Sequence, residues 1–297
     1  LLSVITWYSS SRRKITDFLY ASHEVGWKTL SLSFFSSVFS SYNIVVTLTF
    51  AYIYGPFVIL IFLGVALAFT GIYLIAKKYQ SLPREKGFNN IIDYLSHRFD
   101  SKTTTIFNIA FIGILFLFIS LQLFVNTTIF SEFLGWSKYT SSIVVGVIVF
   151  IYISLGGLKT EILTDSFQAI LMMLIVGLVF MVDLSNISSG TITSLITDNT
   201  IIIGALSLFT AQFLTLLAQP EIWQRVAAAK SIQHLKLGLT VSWLLLMVVV
   251  LPIILIGLAA RGGGLVENPG NIFYDLMHAS ASGWYFPILM VGVFAAF

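Results

Sequence analysis

The stretch SLSFFSSVFSSYN, residues 31–43, places six serines inside an apolar segment. No charged residue occurs from Thr29 to Ala76, so these serines lie inside a membrane span that we place at about residues 30–53. Within a bilayer their hydroxyls can bond only to backbone, water, another helix or a bound solute. Because serine side chains compete for backbone groups, this run favours local unwinding of the helix.

Two interpretations of the serine stretch follow. A helix that opens at mid-membrane ends in unpaired carbonyls, whose partial negative charge suits a small cation. Alternatively, the serines are small residues that let two helices pack closely. The rest of the chain favours the first interpretation.

The composition is that of a polytopic membrane protein. Of 297 residues, 57% are hydrophobic and only 10% are charged, whereas soluble domains have roughly 25% charged residues. The mean hydropathy is +0.94. Cysteine is absent, which excludes disulfides, thiolate metal sites and cysteine nucleophiles. Because an apolar helix end begins the chain and an apolar run closes it, we expect a single transmembrane domain, 1–297, that is a fragment clipped at both ends.

Apolar runs predict seven complete spans and two fragments. A surface helix is predicted at about 88–99 and a short helix near 272–279, while 183–200 reads as a loop rich in Ser, Thr, Gly and Asn. The complete spans are placed at about 30–53, 57–76, 105–130, 139–155, 160–182, 201–219 and 237–260, the last interrupted by Pro252, and the fragments are 1–8 and the run from about 285.

The basic residues give the orientation. Of the 16 lysines and arginines, all but Lys138 and Arg261 fall on one side of this threading. The positive-inside rule puts that side in the cytoplasm. The basic residues form a collar at the membrane rather than a nucleic-acid stripe, so the predicted partners include the lipid bilayer and no nucleic acid.

One motif, GGLKTEILTDSFQ at residues 156–168, lies at a cytoplasmic turn that enters a span. Its Asp165 is one turn inside that span. A carboxylate at this depth is costly unless it is paired or near water, so Asp165 is a candidate functional residue. The alternative is a charge at a helix N-terminus or a structural contact between residues four apart.

Two further motifs lie on the same side of the membrane. They are QPEIWQRVAAAKS at 219–231 and DYLSHRF at 93–99. In the first, Glu221 and Arg225 are four residues apart on a helix end, and we predict that they form a structural pair.

Together the three motifs resemble those of the sodium:solute symporter family. The family pattern has Gly-Gly, a hydrophobic run and Thr-Asp-x-x-Gln, then Gln-Arg with Ala-Ala-Lys-Ser after the sixth core helix, and Tyr-Leu-x-x-Arg-Phe before the third. Tyr52 and Gly55 also match the outer end of its first core helix.

This resemblance implies an all-α polytopic membrane protein with the five-plus-five inverted-repeat fold of the leucine transporter. The first repeat would be 30–182, and 201–297 would be an incomplete second repeat. The first helix of the second repeat is also expected to be broken at mid-membrane, near Thr210, Gln212 and Thr215.

The resemblance also implies a sodium site. Backbone carbonyls of Ser36, Phe39 and Ala296 would bind the ion, together with a Ser/Thr pair expected three and four residues after Ala296, past Phe297. Asp165 would lie on the cytoplasmic exit path of the ion or tune a second ion site.

Four polar residues at mid-membrane depth are candidate substrate contacts: Asn43, Gln122, Gln212 and Thr215. For each, a hydrogen bond between helices is the alternative. Sugar-transporting members of the family carry an acid-amide pair where this chain has Tyr42-Asn43, and a gate tyrosine where it has Thr215. Proline transporters carry an aspartate at Val38. The resemblance therefore favours neither a hexose nor proline.

The sequence predicts a sodium-coupled symporter of a small organic solute, multi-pass in the plasma membrane and working by alternating access. Sodium would be the co-transported ion, with no organic cofactor, and a homo-oligomer is left open. The rival class is a transporter-like solute-sensing domain of a signalling protein. An enzyme is disfavoured, because the four histidines are scattered over loops and no catalytic motif occurs.

Overall fold

Helices dominate the computed structural model, which describes residues 24–79, 91–156, 158–173, 189–263 and 268–280. Short 3₁₀ turns cover Gly55–Val58 and Pro269–Asn271, and Val25 and Ala229 form an isolated parallel β-bridge. The α-helices of the described residues are α1 Trp27–Val38, α2 Ser41–Tyr54, α3 Ile59–Tyr79, α4 Ile91–Arg98, α5 Ser101–Leu134, α6 Lys138–Gly156, α7 Leu158–Met172, α8 Ser189–Ile196, α9 Asn199–Ala218, α10 Pro220–Ala228, α11 Ile232–Gly262 and α12 Ile272–Ser280.

The first predicted span is broken where the serines indicated. Helix α1 ends at Val38, Ser40 is extended with φ −110° and ψ 178°, and α2 begins at Ser41. Near the break, the hydroxyls of Ser36 and Ser37 donate to the Ser33 carbonyl at 3.1 and 2.7 Å. Serine hydroxyls therefore take a backbone acceptor, as expected of a run that weakens a helix.

A tight turn connects α2 to α3. Gly55 has φ +57°, in the left-handed region that favours glycine, and Pro56 follows it at the start of the 3₁₀ turn. The Gly55 N–H donates to the Ala51 carbonyl, so the last turn of α2 closes before the chain reverses.

Most predicted helices are confirmed, with ends that differ by a few residues. Spans predicted at 57–76, 105–130, 139–155, 201–219 and 237–260 correspond to α3, α5, α6, α9 and α11. The surface helix is α4 and the short helix is α12. Helix α7 covers the first part of the span predicted at 160–182. The rest of that span, the fragment 1–8 and the last span lie outside the described residues.

Two predictions about helix interruption are wrong. Helix α9 is continuous through Thr210, Gln212 and Thr215. Its polar residues are separated by apolar ones rather than clustered like the serines of α1, and no glycine or proline occurs in 205–219. Helix α11 also continues through Pro252. A proline frees a single backbone carbonyl, and local adjustment in an apolar helix can accommodate it.

The loop predicted at 183–200 contains helix α8, which the sequence analysis missed. Leu195 of α8 is fully buried, and the helix packs against the 3₁₀ turn that begins at Gly55. Asp198 then begins α9 by accepting a hydrogen bond from the Thr200 N–H at 2.8 Å. The polar composition of this segment favours a loop, but burial of Leu195 stabilises a helix there.

Four helical stretches among the described residues are long and apolar enough to cross a membrane: Tyr42–Lys78, Ser101–Leu134, Asn199–Ala218 and Ile232–Gly262. A shorter apolar helix covers Lys138–Ile151. The first predicted span is divided by its break, and α7 is described only as far as Met172, so neither reaches full span length.

The chain divides into two compact units. The first unit comprises 1–37, 69–167 and 216–242, and the second comprises 38–68, 168–215 and 243–297. This division differs from the predicted repeats 30–182 and 201–297, which remain a prediction. The dividing point between Ser37 and Val38 falls next to the break in the first span.

Candidate functional site

Asp165 lies at the centre of a buried polar cluster in the first unit. Its Oδ2 atom accepts a hydrogen bond from Ser33 Oγ at 2.8 Å and another from Arg225 Nη2 at 2.7 Å. The Asp165 side chain is only 14% exposed. A carboxylate in this position needs charged or hydrogen-bonding partners, and both are present.

Arg225 supplies the positive charge of this cluster, and its side chain is 4% exposed. Its Nε donates to Ser33 Oγ at 2.8 Å, and its Nη2 also forms a salt bridge with Glu161 Oε1 at 3.0 Å. Its Nη1 donates to the main-chain carbonyl of Glu221 at 3.1 Å. Each nitrogen of the guanidinium therefore has an acceptor.

Arg225 does contact Glu221 as predicted, but through the main chain of Glu221, and it has two further partners. The salt bridges of Arg225 go to Asp165 and Glu161 on α7, and its bond to Glu221 is to the backbone. The guanidinium thus bonds both to its own helix, through the Glu221 carbonyl, and to the two carboxylates of α7.

The cluster shifts the pKa values of two charged residues on α10, the helix that follows the predicted span 201–219. Burial lowers the pKa of Arg225, but the carboxylates of Asp165, Glu161 and Glu221 raise it, and the net pKa lies above its usual value. Burial raises the pKa of Glu221 above its ordinary value. Arg225 therefore remains a cation at physiological pH.

The start of α1 and the residue Val25 just before it are hydrogen-bonded to the end of α10, to the residues that follow it, and to the first turn of α11. The Val25 N–H donates to the Ala228 carbonyl at 3.1 Å, and the Val25 carbonyl accepts from the Lys230 N–H at 3.0 Å. The Trp27 N–H donates to His234 Nδ1 at 3.2 Å, which supplies an acceptor for one of the free N–H groups at the helix start.

Further along, α1 packs closely against α7 and α11. The Ser166 hydroxyl contacts the Thr29 carbonyl at 3.3 Å and the Ile162 carbonyl at 2.8 Å. A Cβ added at Gly238 would lie 3.0 Å from the Leu30 Cβ, so glycine permits the close approach of α11. Helix α1 is thus held at several points along its length.

The three sequence motifs converge on this cluster. Residues 156–168 form most of α7, which carries Asp165, and 219–231 contain α10, which carries Arg225. The motif at 93–99 lies in and just after α4, which packs against α10. Two motifs that are far apart in the sequence therefore supply the Asp165–Arg225 pair, and the third packs against the helix that carries Arg225.

The outer half of the broken span is fixed in the second unit. Arg261 Nη1 donates to the carbonyls of Tyr52 and Ile53, in the last turn of α2, at 2.8 and 2.9 Å. A cation at a helix C-terminus stabilises the carbonyls that have no partner there. A Cβ at Gly257 would overlap Ala51 of α2, so α11 and α2 approach each other so closely that only glycine fits at this position.

The predicted sodium ligands are only partly described. Ser36 is buried in the last turn of α1, and Phe39 lies at the break with a fully buried side chain. Ala296 lies outside the described residues. A sodium site at these carbonyls remains a prediction.

The predicted substrate residues are divided between the two units. Asn43, Gln212 and Thr215 belong to the second unit, and Gln122 belongs to the first; all four are half-buried. Asn43 Nδ2 donates to Ser40 Oγ at 3.2 Å, so this amide lies beside the break. The substrate role of these residues remains a prediction.

Ser33 and Glu161 were not predicted as members of the cluster, nor was Asp165 predicted as a partner of Arg225. The signal was present in part, because a carboxylate one turn inside a span needs a cation. Arg225, within a second motif on the same side of the membrane, was available. The sequence alone does not show that Arg225 bonds to Asp165 as well as to the nearby Glu221. That pairing depends on how α10 packs against α7.

A family model described as the sodium:solute symporter family matches residues 18–295. Sodium-coupled monocarboxylate transporter 2 from Bos taurus is 24% identical over 163 residues, which are 54% of this chain and 26% of that protein. The chain thus spans about a quarter of that relative's length.

A solved structure of a Na⁺-coupled sialic acid symporter, substrate-bound and outward-open, is similar with a TM-score of 0.82 at 19% identity. The match covers 99% of this chain and 66% of that one. This likeness confirms the five-plus-five transporter fold that the motifs predicted.

Proposed function

Because the chain belongs to the sodium:solute symporter family, as its motifs predicted, we propose that it is part of a sodium-coupled symporter of a small organic solute. The family and fold are those of secondary transporters rather than enzymes, and the chain is a membrane protein. The plasma membrane is the proposed location. The observation that carries the proposal is the break at Phe39 and Ser40, inside a segment without charge.

The end of α1 supports a cation site. The last four carbonyls of a helix, which here include that of Ser36, have no partner within the helix and carry the negative end of its dipole. We place the sodium ion at the carbonyls of Ser36, Phe39 and Ala296, and assign Asp165 to the ion path. Ion binding at these carbonyls would order the break and commit the transporter to one orientation.

The start of α2 supports an anionic solute. The first N–H groups of a helix carry the positive end of its dipole and attract a carboxylate, and α2 begins at Ser41, beside the break. Both relatives are named for acids, a monocarboxylate and sialic acid. We therefore infer a small carboxylic acid as solute, with Asn43, Gln122, Gln212 and Thr215 as its candidate contacts.

A binding screen on the intact, full-length protein tests this function. Monocarboxylates, sialic acid, neutral amino acids and ureides would be compared by thermal stabilisation of the purified protein in sodium and in potassium at equal ionic strength. We expect an acid to stabilise the protein in sodium and much less in potassium. Equal stabilisation in the two salts would contradict sodium coupling, and binding by neutral solutes alone would contradict the carboxylate assignment.

A further inference from the structure

The carboxylate proposed for the ion path already holds a cation. Asp165 Oδ2 accepts from Arg225 Nη2 at 2.7 Å, a distance typical of a strong charge-assisted hydrogen bond. A sodium ion that reached Asp165 would meet this guanidinium on the same carboxylate. Two cations on one buried carboxylate repel each other strongly, because water screens them little there.

Arg225 has a second carboxylate within reach. Its Nη2 bonds to both Asp165 and Glu161, which lie one turn apart on α7, and the Glu161 side chain is 45% exposed. The guanidinium can therefore give up Asp165 and keep Glu161 as its partner. A buried charge that loses its only partner is strongly destabilising, and this arrangement avoids that cost.

Ser33 connects the ion pair to the end of α1. Its hydroxyl donates to Asp165 and accepts from Arg225 Nε, both at 2.8 Å. Its carbonyl accepts the hydroxyls of Ser36 and Ser37, in the last turn before the break. A change at the Asp165–Arg225 pair therefore reaches the end of α1 through a single residue.

We propose that Arg225 is a positioning residue that competes with sodium for Asp165. When sodium occupies Asp165, the bonds that connect Arg225 and Asp165 to Ser33 of α1 are broken, and when those bonds are formed, sodium is excluded. This inference rests on the proposed function. Arrival of sodium at Asp165 moves Arg225 to Glu161 and breaks its bond to Ser33. The end of α1 loosens, while the contacts of Val25 keep its start in place.

The test is the sodium concentration that gives half-maximal thermal stabilisation of the intact purified protein, with choline keeping the ionic strength constant. Arg225→Gln removes the competitor. A guanidinium bound to a carboxylate weakens the binding of a second cation to that carboxylate, because the two cations repel each other. The half-saturating sodium concentration should fall by about tenfold or more.

Glu161→Gln and Arg225→Lys are the companion variants. Glu161→Gln removes the alternative partner of Arg225, so the half-saturating sodium concentration should rise. Arg225→Lys keeps a cation and should restore most of the wild-type value. A structural salt bridge would instead lower the melting temperature in each variant and leave the half-saturating concentration unchanged.

The outcomes separate this inference from the proposed function. If the wild-type protein shows no stabilisation by sodium, both fail. If the wild-type protein responds and Arg225→Gln does not shift the half-saturating concentration, competition is overturned while sodium coupling stands. Should Arg225→Gln not fold, Glu161→Gln decides, because an unchanged half-saturating concentration in that variant also contradicts competition.

Discussion

Ser33 links three segments of the first unit, because its hydroxyl bonds to Asp165 of α7 and to Arg225 of α10. It is fully buried, so no water can replace these bonds. Hydrogen bonds to charged groups contribute about 1.5–3 kcal/mol, more than bonds between neutral groups. At the scale of single residues, this hydroxyl is therefore worth more than the other serine hydroxyls of α1.

Ser33→Ala should lower the free energy of unfolding by about 1–3 kcal/mol, because two charged partners each lose a bond. Ser37→Ala is the matched control, since the Ser37 hydroxyl bonds only to the Ser33 carbonyl of its own helix. Its effect should stay below about 1 kcal/mol. Thermal or denaturant unfolding in detergent measures both. Equal losses in the two variants would show that the cluster does not depend on Ser33.

Asp165→Asn should leave the protein folded and raise the sodium concentration needed for half-maximal transport, because an amide is a weaker cation ligand than a carboxylate. Transport by the intact protein over a range of sodium concentrations measures this. An unchanged sodium dependence in a well-folded variant would remove Asp165 from the ion path.

At the scale of elements, the two halves of the first span have separate attachments. Helix α1 is held in the first unit by α7, α10 and α11, and α2 is held in the second unit by Arg261 and by the close contact at Gly257. The break therefore lies between a helix that is attached in the first unit and a helix that is attached in the second, and α11 contributes contacts to both.

Gly257→Ala should destabilise the protein by about 1–3 kcal/mol, because the added methyl group overlaps Ala51 of α2, including its backbone. Gly146→Ala on α6 is the control, since nothing lies within 4 Å of the position of its Cβ. Alanine there should be neutral or stabilising by up to about 1 kcal/mol. Unfolding measurements on both variants test the packing, and a neutral Gly257→Ala would place α2 elsewhere.

Helix positions were predictable from sequence, because a long apolar run without charge has few alternatives to a spanning helix. Interruptions were less predictable. The serine run did break its helix, yet Thr210 and Pro252 did not break theirs. In the candidate site, the depth of Asp165 indicated a paired carboxylate, but Arg225 as its partner depended on tertiary packing. Local sequence shows which groups need partners, and packing selects the partners.

At the scale of the whole molecule, the distribution of basic residues predicts the threading. The chain has no cysteine, so single cysteines can be introduced without background. Cysteines at Ser81 and Ser231 should react with a membrane-impermeant reagent only from the cytoplasmic side, and a cysteine at Ser189 only from outside. Labelling of Ser81 from outside intact cells would reverse the orientation and contradict the predicted cytoplasmic position of the Arg225 cluster.

Sodium-driven accumulation by the intact protein tests the central claim most directly. The purified protein would be reconstituted into liposomes, and uptake of a radiolabelled monocarboxylate would be followed with an inward sodium gradient, with equal sodium on both sides, and with potassium instead. We predict accumulation above the external concentration only with the inward sodium gradient. Uptake that ignores the gradient would contradict sodium coupling, and sodium-dependent binding without uptake would identify a solute sensor instead of a transporter.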